Sequence, residues 1–94
     1  MKYHPQVKED LQKLGHITAL LILKKVQKLA DNPYSSVELG NKANMDLTGY
    51  RKVYIDNKRV RIVYKVIESE LQVFVVATGK RDDMKVYQKV SDRI

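Results

Sequence analysis

The sequence predicts an α+β fold: an N-terminal helical hairpin packed on a small antiparallel β-sheet of about three or four strands, followed by a short C-terminal helix. Two observations predict this class. Apolar residues recur at helical spacing in the first third of the chain, whereas residues 50–78 hold runs of Val, Ile, Tyr and Phe separated by short polar turns. No internal repeat, low-complexity tract or linker interrupts the 94 residues, so we expect one domain spanning 1–94.

The first predicted helix begins near Pro5, a residue that suits the first turn of a helix because its missing N–H is not needed there. Val7, Leu11 and Leu14 follow at spacings of four and three, which places them on one face. Gly15 is positioned to end the helix.

A second helical pattern runs from about Ile17 to Ala30 and stops at Asp31-Asn32-Pro33, since proline disfavours a helical residue before it. We expect the two helices to form an antiparallel hairpin. The residues expected on its inner side are Ile17, Leu20, Leu21, Leu23 or Lys24, and Leu29.

The rest of the chain is predicted as strands, loops and one last helix. Residues 34–49 form a connecting loop, and a two-residue turn at Asn57-Lys58 follows the first strand. The predicted strands are Tyr50–Asp56, Arg59–Ile67 and Leu71–Thr78, followed by a loop at Gly79–Asp83 and a helix at Met84–Ile94.

That turn determines the register of the first hairpin, with Ile55 opposite Val60 and Tyr54 opposite Arg61. Side chains alternate across a strand, so the hairpin divides into an apolar face and a basic face. The apolar face should pack on the helices and consists of Val53, Ile55, Val60, Ile62, Tyr64 and Val66. The basic face should remain open and consists of Lys52, Tyr54, Arg59 and Arg61.

Charge gives the first indication of function. The chain carries +7 with a pI near 9.7, and five basic residues lie between Arg51 and Arg61 against the single acid Asp56. Such a surface suits a polyanion such as nucleic acid, or simply keeps a protein soluble. No cysteine is present, which excludes disulfides and thiolate metal sites. We expect a cytoplasmic protein without a signal peptide or a membrane span.

Four stretches of the C-terminal half share their pattern with a known family. They are Gly49-Tyr50-Arg51-Lys52-Val53-Tyr54, Arg61-Ile62-Val63-Tyr64, the segment from Val73 to Arg81, and Val86-Tyr87. The chain resembles the RelE branch of the RelE/ParE toxin superfamily, and the strand ending in Gly79-Lys80-Arg81 with a tyrosine six residues later is the most specific part. In this family a short edge strand usually precedes the first helix, and residues 1–4 leave room for a stub of it.

The resemblance implies a toxin of a type II toxin–antitoxin system that cleaves mRNA in the ribosomal A site and is silenced by a cognate antitoxin. It implies a monomer when free and a hetero-oligomer with the antitoxin. The catalytic set that it implies is Lys52, Arg61, Arg81 and Tyr87. Some RelE proteins carry a second basic residue where this chain has Tyr54. The residues expected to bind RNA are Arg51, Tyr54, Lys58, Arg59, Lys80 and Lys85.

The residue types suit metal-independent cleavage of RNA. Two histidines near the N-terminus and scattered carboxylates make no plausible metal site, so no cofactor is expected. Without a metal to activate water, the available nucleophile is the 2′-hydroxyl of the substrate, which only RNA has. Arg61 and Arg81 would stabilise the charge on the phosphate, Lys52 would add a point charge, and Tyr87 is the candidate general base.

Three other functions fit the same residues. The chain could be a ParE-like inhibitor of DNA gyrase, a non-enzymatic RNA-binding module, or a degenerate toxin. Without the resemblance, the pattern would favour a solvated turn at Lys80 and Arg81 and a core position for Tyr87. Lys52 and Arg61 are residues that any half-exposed antiparallel sheet could carry. A gyrase supercoiling assay and a Tyr87→Phe variant would separate these alternatives.

Overall fold

The computed structural model describes residues 2–42, 45–70, 72–81 and 85–93, and in these ranges three helices pack on the two faces of a five-stranded sheet. The predicted α+β class is confirmed. The helices are α1 (Val7–Leu14), α2 (His16–Asp31) and α3 (Lys85–Arg93). The strands are β1 (Lys2–Tyr3), β2 (Val37–Glu38), β3 (Asn41–Lys42), β4 (Met45–Asp46), β5 (Tyr50–Ile55), β6 (Val60–Ile67) and β7 (Gln72–Lys80).

The sheet has the strand order β1-β7-β6-β5-β2, with β1 parallel to β7 and the other pairs antiparallel. The predicted meander of three strands forms its centre. The two edge strands hold two residues each, which is too short for an alternating pattern to be visible in the sequence. Strands β3 and β4 pair separately within the segment predicted as a loop.

Strand β7 continues to Lys80, so the prediction that a loop begins at Gly79 is wrong. The extension is held by pairing with β6, since Gly79 lies opposite Arg61 and Lys80 opposite Val60. Leu71, Asp82, Asp83, Met84 and Ile94, at the ends of other predicted elements, lie outside the described residues.

The predicted register of the first hairpin is confirmed for four residue pairs on β5 and β6. They are Ile55 with Val60, Tyr54 with Arg61, Val53 with Ile62, and Lys52 with Val63. The turn places Asp56, Asn57 and Lys58 at φ values of 53°, 53° and 66°. Asn and Asp tolerate this left-handed region better than most residues, which explains a turn at this point. The Arg59 N–H closes the turn by donating to the Asp56 carbonyl at 3.0 Å.

The apolar face of the hairpin packs on α1 and α2, as predicted. The buried residues of this core are Val7, Ile22, Val26, Leu29, Val60, Ile62, Tyr64, Val73 and Val75. The predicted inner side of α2 is wrong apart from Leu29. Ile17 is 75% exposed, and the buried positions are Ile22, Val26 and Leu29. Apolar residues at almost every position from Ile17 to Leu23 fit several helical faces, so periodicity could not select the correct one.

The opposite face of the sheet carries a second core, so the prediction of an open basic face is wrong in part. Helix α3 covers this face with Val86, Tyr87 and Val90. They pack with the sheet and with the segment before β5, and the other buried members are Leu39, Leu47, Tyr50, Val63, Val76 and Ala77. None of the helices in the described ranges combines the length and apolarity needed to cross a membrane.

Candidate active site

Four basic or tyrosine side chains gather around Tyr54 on the face of the sheet that α3 partly covers. The Lys52 ammonium donates to the Tyr54 hydroxyl at 3.2 Å. The Cζ atoms of Arg81 and Arg61 lie 5.5 and 5.7 Å from the centroid of the Tyr54 ring. Arg61 also lies 4.5 Å from the centroid of the Tyr87 ring. We call these five residues the Tyr54 cluster: Lys52, Tyr54, Arg61, Arg81 and Tyr87.

The cluster brings together all four side chains that the resemblance assigns to catalysis. Of these four, Arg61 has the environment that is most unusual for a residue with only a structural role. It is only 5% exposed and sits between the rings of Tyr54 and Tyr87. Its Nε and Nη1 atoms are buried without a hydrogen-bond partner in the described part of the protein. A buried, charged donor without a partner is unfavourable, and an anion that accepted these bonds would remove the penalty.

The register of the sheet positions the cluster. Tyr54 on β5, Arg61 on β6 and Gly79 on β7 are direct neighbours across the three strands, so they share the face that α3 covers. Arg81 follows β7 and is fixed by its backbone N–H, which donates to the Arg59 carbonyl at 2.8 Å. Alternation along two residues then returns the Arg81 side chain to the face of Gly79.

A register shift between β6 and β7 supports this arrangement. Val63 pairs with Ala77 and Tyr64 with Val75, which leaves Val76 as an extra residue on β7. Because of this bulge, Val75 faces the first core while both Val76 and Ala77 face the second. Without the extra residue, the alternation from Val73 onward would direct Gly79 to the other face.

Gly79 allows α3 to approach the sheet closely. A Cβ atom at this position would lie 2.4 Å from the Cγ2 atom of Val86, which is closer than carbon atoms can pack. Val86 precedes Tyr87 at the start of α3, so the close contact also places the Tyr87 ring against Arg61. The glycine of the Gly79-Lys80-Arg81 motif is therefore explained by packing.

A buried carboxylate anchors the other end of α3. Asp10 on α1 is 2% exposed and accepts hydrogen bonds from Arg93 at 2.8 and 3.1 Å and from Lys89 at 3.1 Å. It also accepts the Thr78 backbone N–H at 3.0 Å, and Arg93 donates to the Val76 carbonyl at 2.9 Å. Burial raises the pKa of Asp10, but the bonds from Arg93, Thr78 and Lys89 outweigh it, so the pKa lies below its usual value.

Sequence reasoning missed the anchoring role of Asp10, although a signal was present. Val7, Asp10, Leu11 and Leu14 lie at helical spacing on a single face, so an acid stood in an otherwise apolar stripe. A buried acid requires a cationic partner, and Arg93 and Lys89 near the end of the chain supply it.

The pKa of Tyr54 is shifted from its usual value by neighbours in the cluster. Burial raises the pKa of Tyr54, but hydrogen bonding and positive charge from Lys52 and Arg61 outweigh it and lower the pKa to about 8. A substantial fraction of the Tyr54 side chain is therefore phenolate at mildly alkaline pH. Its partial exposure leaves the ring accessible from solvent.

The other predicted RNA-binding residues divide into three places. Lys58, Arg59 and Lys80 are exposed and line one open groove together with Arg81. Lys85 is exposed at the start of α3. Arg51 lies elsewhere, because its side chain donates to the Tyr34 and Ser36 carbonyls at 3.2 and 2.6 Å. It fastens the segment after α2 to β5, which points to a structural role.

The described residues contain no group of three His, Asp or Glu side chains placed to hold a metal ion. The chemistry that the arrangement offers is electrostatic. Lys52, Arg61 and Arg81 lie around the partly exposed phenol of Tyr54, and two donors of the buried Arg61 guanidinium have no partner in the part of the chain that the structure describes. Such a site can bind a phosphate and stabilise charge that develops on it.

Comparison with known proteins agrees with this fold. A family model described as "ParE toxin of type II toxin-antitoxin system, parDE" matches residues 1–84. An Escherichia coli protein named "Putative RelE-like toxin protein" is 33% identical over 101 residues and is covered to 99%, with 100% of this chain aligned. The "mRNA interferase toxin RelE" of E. coli K12 is 28% identical over 86 residues, which cover 92% of this chain and 86% of that protein.

A solved structure of a free E. coli RelE double mutant superposes with a TM-score of 0.74 at 25% identity, covering 99% of this chain and 94% of that one. The chain therefore belongs to the ParE/RelE superfamily of type II toxins. Within that superfamily it is a member of the RelE branch.

Proposed function

We propose that this toxin is an endoribonuclease that cleaves mRNA in the ribosomal A site, without a metal, by attack of the 2′-hydroxyl on the adjacent phosphate. The observation that carries the proposal is the buried guanidinium of Arg61, two of whose donors have no partner among the described residues, beside Lys52, Tyr54 and Arg81. The name of the relative described as an mRNA interferase supports the same reaction.

In this proposal the scissile phosphate binds between Arg61 and Arg81. Arg61 donates from Nε and Nη1, and the planar fork of its guanidinium suits two oxygens of one phosphate. Arg81, which is exposed, approaches from the open side, and Lys52 adds a third positive charge. Preorganised donors of this kind stabilise the dianionic transition state of phosphate cleavage better than the ground state.

The groove lined by Lys58, Arg59, Lys80 and Arg81 would hold the flanking RNA backbone. It is open, and four of its lining residues are basic, while the others are Leu14, Thr18, Asp56, Asn57 and Val60. Such contacts bind RNA without reading its sequence. We therefore assign the alignment of the codon to the ribosome, which explains why cleavage would be slow on free RNA.

We further propose a cognate antitoxin as the partner that silences the toxin, as in the type II systems that the family description names. The free toxin would be a monomer of one domain, 1–94, and a hetero-oligomer with its antitoxin. Because its target is the ribosome, we expect it to act in the cytoplasm.

Primer extension on a defined mRNA in a purified translation system tests the proposal. Wild-type toxin should produce cuts within A-site codons, and Arg81→Ala should lose them. Lys8→Ala is the control because Lys8 is exposed on α1, on the opposite face of the sheet. Equal cleavage of free RNA and of ribosome-bound message would contradict the ribosome dependence.

The matching family model carries the name of ParE toxins, which makes inhibition of DNA gyrase the second candidate function. A supercoiling assay with gyrase therefore runs beside the translation assay. Inhibition of gyrase together with intact mRNA would replace the nuclease proposal with this alternative.

A further inference from the structure

We propose that Tyr54, and not Tyr87, accepts the proton of the attacking 2′-hydroxyl in this protein. The inference rests on the proposed RNA cleavage and assigns one step of it. Its basis is geometric: Tyr54 occupies the centre of the cluster, in contact with Lys52, Arg61 and Arg81, while its ring remains partly exposed.

Tyr87 is placed less well for the same task. It is 2% exposed and belongs to the second core, and its ring centroid lies 4.5 Å from the Arg61 Cζ atom. A side chain buried this deeply is less accessible to a substrate than Tyr54, whose side chain is partly exposed. Tyr87 is therefore assigned to positioning Arg61 rather than to proton transfer.

The cationic side chains around Tyr54 favour its phenolate form. Lys52 on its own strand, Arg61 on β6 and Arg81 after β7 are all cationic. The edge of β5 that holds Tyr54 also borders an open groove, whose charged lining residues are Lys24, Lys25, Lys28 and the acid Asp56. Burial raises the pKa of Tyr54, but hydrogen bonding and positive charge from Lys52 and Arg61 outweigh it and lower the pKa to about 8.

A phenol with this pKa is suited to general base catalysis near neutral pH, where an ordinary tyrosine with a pKa near ~10 is almost entirely protonated. In the step that we assign, the Tyr54 phenolate takes the proton of the 2′-hydroxyl, and the 2′-oxygen forms a bond to phosphorus. The bond from phosphorus to the 5′-oxygen breaks, and its electron pair leaves with that oxygen, which takes a proton from water. The products are a 2′,3′-cyclic phosphate and a 5′-hydroxyl, and the hydroxide formed recovers the proton from Tyr54.

The pH dependence of single-turnover cleavage of ribosome-bound mRNA tests the assignment. The wild-type rate should rise with pH and level off above about 8, where Tyr54 is phenolate. Tyr54→Phe should lower the rate by about 10²- to 10⁴-fold, the range for loss of a general base, and remove this rise. Tyr34→Phe should keep the wild-type profile, since Tyr34 is an exposed tyrosine stacked on Arg51, away from the cluster.

Replacing Tyr54 by 3-fluorotyrosine, which has a more acidic phenol, should move the point of levelling to lower pH. A purely structural role for the ring would leave the pH at which the rate levels off unchanged. Retention of the wild-type inflection in Tyr54→Phe, or its loss in Tyr87→Phe alone, would overturn the assignment in favour of Tyr87.

A second measurement does not depend on cleavage. Ultraviolet absorbance of the free toxin should reveal one tyrosine that ionises near pH 8, and this transition should be missing in Tyr54→Phe. Ionisation of Tyr54 only near ~10 would overturn the inference, whatever the protein cleaves. A normal titration near pH 8 without any mRNA cleavage would instead refute the proposed function, and the assigned step with it.

Discussion

Replacing Arg61 by methionine should stabilise the fold while it slows cleavage. Arg61 is a buried cation whose Nε and Nη1 atoms have no partner in the described structure, and each unpaired buried donor costs about 1–3 kcal/mol. Cation–π contacts of Arg61 with the Tyr54 and Tyr87 rings offset about 0.5–2 kcal/mol of this cost. Methionine keeps most of the apolar stem, so we expect a net gain of about 1–3 kcal/mol in the free energy of unfolding.

Urea denaturation of the purified toxin measures this gain, and thermal unfolding should follow with an increase of roughly 4–8 °C per kcal/mol. Single-turnover cleavage should fall by about 10²- to 10³-fold, as on loss of a preorganised donor at the reacting charge.

Arg93→Met is the matched control. The side chain of Arg93 is also buried, at 6% exposure, but it is paired with Asp10 at 2.8 Å. Breaking such a pair leaves a buried carboxylate short of its main partner and should cost about 3–5 kcal/mol. Opposite signs for the two variants are therefore expected. A loss of stability in Arg61→Met close to that of Arg93→Met would refute the view that Arg61 is held unpaired for a ligand.

Two further outcomes follow from the anchoring of α3. Because the pKa of Asp10 lies below its usual value of 3.8, its contribution to stability is present above that pH and is lost as the pH falls through its lowered pKa. Urea titrations at acid pH should therefore show a drop in stability that is smaller in Asp10→Asn. Gly79→Ala should destabilise the fold by about 1–3 kcal/mol, because the new methyl group displaces Val86. Unchanged stability and activity would contradict the packing role of Gly79. Gly40→Ala serves as control, because a Cβ atom there would meet nothing within 4 Å.

Much of the sheet could be predicted because its pattern has one consistent solution. Only one register of the β5–β6 hairpin puts Val53, Ile55, Val60 and Ile62 on one face with the charges on the other, and the structure has that register. Gly15 was also readable from the sequence, since its φ of 92° at the end of α1 suits a residue without a Cβ.

The rest could not be read because it depends on contacts between distant segments. The buried side of α2 is selected by the sheet, and the apolar run from Ile17 to Leu23 offers no preference of its own. The bulge at Val76 and the covering helix α3 decide together which side chains of the basic face remain accessible. Only the resemblance indicated that Arg81 and Tyr87 belong with Arg61. Their relative positions depend on tertiary contacts that no sequence pattern shows.

The perturbed Tyr54 was likewise out of reach of the sequence. Tyrosine two residues from Lys52 suggests a stacking platform, and register adds Arg61 as its neighbour. The lowered pKa arises from the simultaneous approach of Lys52 and Arg61 to one phenol. No local pattern encodes that convergence.

A single 2′-deoxy substitution tests the central claim most directly. An mRNA is placed on the ribosome with a 2′-deoxynucleotide at the mapped cleavage position and compared with the unmodified message. If the Tyr54 cluster stabilises charge and accepts a proton while the substrate supplies its own nucleophile, the toxin should cut the unmodified message to a 2′,3′-cyclic phosphate and leave the deoxy message intact. Cleavage of both messages at similar rates would require another nucleophile and would contradict the account.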